Sequence, residues 1–99
     1  MGTVRSGLFG GGGVTARPLL LVGAGAREAL AMVRTHPHEW VPVGALVDDP
    51  AMHGRDLDGV PVLGGTDLVY QLPDAALLAC DPSVVDRLGL PLNRWVRVR

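Results

Sequence analysis

The chain has 99 residues, a formal net charge of −1 and one cysteine. That length allows one domain at most: half of a nucleotide-binding fold fits, a full dinucleotide fold with both halves does not. No global basic field exists to hold nucleic acid, and a lone cysteine excludes a disulfide framework, which makes a reduced cytoplasmic setting the default.

Residues 1–16 are glycine-rich and follow neither a helical nor a strand period. Ordering four consecutive glycines costs too much backbone entropy without a tight ligand, so this stretch reads as a disordered leader. A phosphate loop at Gly10–Gly13 is the alternative, but no Lys-Ser/Thr pair follows it. The leader also lacks an apolar stretch of signal-peptide length, and no apolar run in the chain is long enough to span a bilayer. The expectation is a soluble, non-exported cytoplasmic protein with no membrane contact.

Residues 17–99 carry the folded domain. Leu19 to Val22 is a continuous apolar run, as in a strand covered on both faces. Gly23-Ala24-Gly25 turns the chain. From Ala26 to about Thr35 the pattern is helical, with Ala26, Ala29, Leu30 and Val33 on one stripe, and Pro37 stops it. Trp40 to Val47 reads as a second strand, and Pro42 near its start points to an outer or early-strand position. Ala51 to Gly59 reads as a polar loop. Val60 to Leu63 is a short third strand, followed by a short helix to about Leu72 capped by Thr66 or Asp67. Ala75 to Cys80 is a fourth strand. Asp81 or Ser83 caps a last helix, Pro82 to Leu88, which Gly89 closes. Trp95 to Val98 alternates weakly, as in a fifth strand. The order predicts a small Rossmann-like, three-layer α/β domain with a mainly parallel sheet of four or five strands.

Gly23-x-Gly25 follows a strand and opens a helix, the context in which glycines let backbone approach a phosphate. The third position of the full fingerprint is Glu28 here, where Gly or Ala belongs. A carboxylate there repels phosphate but suits the helix dipole, and Arg27 can offset it or contact a ligand. Asp48 and Asp49 end the second strand about twenty residues after the turn, where such folds place the acid that accepts ribose hydroxyls. Turn chemistry before Pro50 explains the same pair equally well.

Other residues carry weaker signals. Cys80 lies in an apolar run and reads as a small core residue; a catalytic thiol needs a base beside it in space. His36, His38 and His53 have no cysteine cluster and poor ligand spacing, so an exposed helix end is the simpler reading than a metal site. Arg94, Arg97 and Arg99 make a short basic patch, read as a solvated terminal strand and not as a nucleic-acid site.

The stretches Val22-Gly-Ala-Gly-Ala-Arg-Glu-Ala-Leu, Val43-Gly-Ala-Leu-Val-Asp-Asp-Pro, His53-Gly-Arg-Asp-Leu-Asp-Gly-Val-Pro-Val-Leu-Gly-Gly and Arg87-Leu-Gly-Leu-Pro resemble the N-terminal domain of PglD/NeuD-type sugar acyltransferases. The resemblance runs from about Pro18 to the C-terminus. Similar stretches occur in nucleotide-binding domains of polysaccharide-biosynthesis dehydratases and glycosylphosphotransferases. It implies a domain that holds the nucleotide part of a UDP-amino-sugar, with Gly23, Ala24, Gly25, Ala26, Arg27, Asp48 and Asp49 as the substrate-binding set. In the family a following β-helix of hexapeptide repeats binds acetyl-CoA and supplies the catalytic histidine. The sequence ends about where that β-helix would begin, so the expectation is no catalytic residue, no metal and no cofactor in this chain, with acetyl-CoA entering only through a β-helix domain or partner. The family's turn reads Gly-Ala-Gly-Gly-His-Ala-Arg-Glu; here a Gly-His pair is missing.

Three readings follow. The first is a UDP-sugar-binding domain that is not catalytic alone, working with a partner acyltransferase chain or as a homo-oligomer. The second is an interaction or oligomerisation module that kept the fold and lost the ligand. The third, a small protein binding NAD or CoA, is disfavoured by Glu28 and the short length.

Overall fold

The computed structural model describes residues 16–98. The leader reading for residues 1–16 and the basic residue Arg99 fall outside this range, apart from Ala16. The described residues form a five-stranded, mostly parallel sheet with few helices, a small α/β domain. The strands are β1 (Arg17–Val22), β2 (Trp40–Leu46), β3 (Asp56–Leu57), β4 (Val60–Gly64) and β5 (Ala76–Ala79). They lie in the order β3-β4-β2-β1-β5. The helices are α1 (Ala26–Val33) and α2 (Ser83–Leu88).

Burial explains the continuous apolar run of β1. Leu19 and Leu21 face one core with Ala26, Ala29, Leu30 and Val33 of α1. Leu20 and Val22 face a second core with Val69, Val84 and Leu88. A strand with cores on both faces has no polar side. The four α1 residues are the stripe expected from their spacing, and the helix ends at Val33, two residues before the expected limit. Arg34 and His36 donate backbone N–H bonds to Leu30 and Val33, closing the last turn ahead of Pro37.

Chain direction in the sheet sets which face each connection covers. From β1 the chain moves through α1 to β2 and then to β4, always on the same side of β1. It then crosses back over β4, β2 and β1 to reach β5. Right-handed crossovers in opposite directions cover opposite faces. Thus α1 packs on one face while Val69 of the crossing segment and α2 pack on the other.

Three expectations are corrected. Residues 56 and 57 are not loop: they form β3, antiparallel to β4, with Asp56 opposite Pro61 and Leu57 opposite Val60. Asp58 and Gly59 both have positive φ, 48° and 92°, the conformation a two-residue hairpin turn demands. The Asp-Gly pair is the local signal for this hairpin. Next, the short helix over residues 66–71 is a 3₁₀ helix, and neither Thr66 nor Asp67 caps it; Gly65 precedes it without a side-chain cap. The Trp95–Val98 segment is not a strand. A 3₁₀ turn at Leu92–Arg94 delivers one parallel bridge, Trp95 to Leu77, with Val96 N–H on the Leu77 carbonyl at 2.8 Å. β5 has only four residues, so its outer edge offers little to pair with. Of the two cap candidates for α2, Asp81 is the one that serves: its Oδ1 accepts the Ser83 N–H at 3.1 Å. Gly89 closes that helix at φ 65° as expected.

Pro42 sits early in β2 beside a bulge at Val43, and β4 pairs only with Ala45 and Leu46 further along. The missing N–H of Pro42 therefore faces no partner strand on that side.

The glycine turn follows a packing rule. Gly25 has φ −85°, which any residue adopts, but a Cβ there would stand 2.4 Å from the Cys80 carbonyl oxygen. Gly25→Ala is expected to lower stability by roughly 1–3 kcal/mol through overpacking. Gly54→Ala, at φ +80° with open space around it, should cost about 1 kcal/mol from backbone strain alone. Urea denaturation of the two variants checks the ranking.

Candidate functional site

Strand ends and turns at the C-terminal edge of the sheet bring the sequence-predicted residues into four different environments. Gly23 is buried. It continues the β1 ladder, donating to the Leu46 carbonyl at 2.9 Å, and its Cα side faces Asp81 and Val84. Ala24, Ala26, Arg27 and Asp49 line one cavity of about 320 Å³. Gly25 lines a second, of about 400 Å³, between α1 and β5 with Met32, Leu78 and Cys80. Glu28 borders both. Asp48 lines neither.

Asp48 has another task. Its Oδ1 accepts the backbone N–H of Thr66 at 2.9 Å, and both its oxygens lie 3.0 Å from the Thr66 hydroxyl. Arg87 Nη1 donates to Oδ2 at 2.9 Å and to the Thr66 hydroxyl at 3.1 Å. This carboxylate is the cap that the 66–71 helix lacks locally. It ties the end of β2 to the crossing segment and to α2. The Thr66 N–H bond holds its carboxyl below the usual carboxylate range; the hydroxyl and the Arg87 guanidinium act in the same direction, and partial burial opposes them. Tyr70 adds a second tie by donating to the Leu88 carbonyl at 2.6 Å.

Asp49 shows the turn chemistry expected of Asp-Pro. Its Oδ1 accepts the Ala51 N–H at 3.0 Å and caps the short 3₁₀ turn Pro50–Met52. Its Oδ2 has no protein donor among the described residues. The cavity beside it is walled by Val47, Met52 and Leu57, which sequence reasoning did not single out. Leu57 gets there through the β3–β4 hairpin; Met52 gets there through the Asp49-capped turn. Arg27 sits at the rim, with Nη1 3.4 Å from Asp58 Oδ2 and both side chains 58% exposed. Such a pair is weak and easily exchanged for another anion.

The remaining candidates are accounted for by packing. Cys80 is half-buried, and burial pushes its thiol up to about 11. The His53 ring Nε2 lies 2.7 Å from the Val47 carbonyl, and His36 Nδ1 lies 4.0 Å from Glu39. Among the described residues no group of three His, Cys, Asp or Glu side chains is placed to hold a metal ion. No helix among them is long and apolar enough to cross a membrane.

Comparison with family models, curated proteins and solved structures finds no match for this chain.

Replacing Asp48 with Ala is expected to cost about 1–2 kcal/mol by uncapping Thr66, measured by urea denaturation at pH 7. The native carboxyl is lowered relative to the unfolded one. Its contribution is therefore full above the unfolded pKa of about 3.9 and fades as pH falls below it. The stability gap between the parent and Asp48→Asn should accordingly shrink between about pH 4 and pH 2. A second expectation concerns Cys80. With its thiol near 11, less than about one molecule in a thousand carries the thiolate at pH 7.5, so a disulfide reagent should label it slowly in native protein and rapidly in urea.

Proposed function

We propose that this is a Rossmann-like, three-layer domain that binds the nucleotide part of a UDP-amino-sugar, without catalytic activity of its own, in polysaccharide biosynthesis. The observation that carries the reading is the cavity at the ends of β1 and β2, where Ala24, Ala26 and Arg27 of the glycine turn meet Asp49. Parallel sheets bind ligands outside the carboxyl ends of their strands. Its volume of about 320 Å³ suits a nucleoside. Asp49 Oδ2 is the acceptor for a ribose hydroxyl, Met52 and Leu57 provide apolar cover for a base, and Arg27 exchanges Asp58 for a ligand phosphate. Asp48 is a positioning residue in this scheme: it holds the end of β2 through Thr66 and Arg87. Acetyl-CoA and a catalytic base belong to a β-helix domain or a partner chain.

One observation favours the second reading, a protein-interaction module that has lost its ligand. The glycines of the turn are explained by contact with Cys80 and Asp81, and Glu28 puts a negative charge at the opening of α1.

Calorimetric titration of the chain with UDP, UDP-N-acetylglucosamine, NAD and acetyl-CoA decides between them. Selective binding of the two uridine ligands is expected, weakened about tenfold or more in Asp49→Ala, the loss of one charged acceptor. Silence from all four ligands in folded protein would leave the interaction module.

A further inference from the structure

The N-terminal edge of the sheet carries a third cavity, remote from the glycine turn. Its volume is about 330 Å³, and Arg17, Asp74, Asn93 and Arg94 supply its polar lining. Arg17 begins β1 and Asp74 lies in the turn before β5; Arg94 comes from the 3₁₀ turn that precedes the Trp95 bridge. Residues from both ends of the domain therefore meet here.

Both guanidinium groups are already held in place. Arg17 lies over the ring of Trp40, 4.7 Å from its centroid. Arg94 Nη2 donates to the carbonyls of Leu72 at 2.9 Å and Ala75 at 3.2 Å. Those two bonds use one nitrogen and leave Nη1 and Nε with no protein acceptor among the described residues. Among the described residues neither arginine has a carboxylate within 4.0 Å: the ion pairs there are Arg27–Asp58, His36–Glu39 and Arg87–Asp48. Two arginines lining one cavity, with the Asn93 amide beside them, make a donor set for a doubly charged oxyanion. Asp74 is the one opposing charge in the lining.

We propose that this cavity binds the phosphate of a small phosphomonoester. A phosphate dianion matches two forked donors better than a single carboxylate does. The cavity has room for more than inorganic phosphate, which points to a phosphorylated small molecule whose neutral part lies along Ala76 and Val96.

The test is nuclear magnetic resonance on the full chain, following the Nε–H signals of Arg17 and Arg94 and the indole N–H of Trp40. The probes are inorganic phosphate, glycerol 1-phosphate and acetate at constant ionic strength. Saturable shifts with both phosphates are expected, with a Kd on the order of 1 mM and glycerol 1-phosphate the tighter. Arg17→Gln should weaken binding about tenfold, and Asp74→Asn should tighten it about threefold. Arg17 is exposed at a strand end, so its replacement leaves both cores intact. Arg94 is not chosen, because its loss would also free two carbonyls. Equal saturation by acetate, shifts that follow ionic strength alone, or phosphate shifts confined to residues 24–28 and 49 would overturn the proposal. The last of these outcomes would leave the nucleotide reading standing.

Discussion

β1 contributes four consecutive side chains that alternate between two cores, so neither core forms without it. Leu19 and Leu21 close the α1 side; Leu20 and Val22 close the α2 side. All four are at most 4% exposed. Burying a side chain of this size is worth about 1.5–3 kcal/mol, the largest favourable contribution available to a domain with so few aromatic residues. The strand also pairs on both edges, with β2 and with β5, which fixes the place where the chain changes side in the sheet. The turn after β1 then has to pass close to the turn after β5, and Gly25 meets the Cys80 carbonyl there. The glycine turn is thus a direct consequence of β1 lying between β2 and β5.

The two carboxylates that follow β2 illustrate how adjacent residues separate in role. Asp48 turns toward the α2 side of the sheet and meets Thr66 and Arg87. Asp49 turns toward the α1 side and caps Pro50–Met52 beside the cavity. The bend after β2 separates the two side chains, so that one braces the fold and the other reaches the candidate ligand cavity. The half-exposed Arg87–Asp48 pair owes its value less to charge attraction than to the Thr66 N–H that the carboxylate satisfies.

Charge is distributed in a way that suits two unlike ligand sites. Beside α1 the acids Glu28 and Asp49 outnumber Arg27, which already has Asp58 near it. That environment offers acceptors for hydroxyl groups, with Arg27 as the one cation in the lining. At the opposite edge of the sheet two guanidiniums face a single carboxylate, Asp74. A net charge of −1 for the whole chain conceals this polarity, because the opposing charges sit at different ends of the strands.

Local pattern in the sequence determined the parts that depend on neighbours in the chain. The apolar run of β1, the Ala26-Ala29-Leu30-Val33 stripe, the Gly89 stop and the Asp49 turn are each set by spacing within a few residues. The β3–β4 hairpin was also legible, through Asp58-Gly59, but was obscured by the polar residues around it. Tertiary structure alone decided what depends on distant partners. Nothing near Thr66 in the chain announces that its cap is 18 residues away, or that Arg87, 39 residues from Asp48, completes the group. Met52 and Leu57 become cavity walls only when a turn and a hairpin fold over α1. The weak alternation of Trp95–Val98 looked like a strand, yet four-residue β5 offers it a single bridge. Hydrophobic period and turn preference act over one or two turns of chain, whereas caps, ion pairs and cavities are fixed by strand order, which a single sequence does not encode locally.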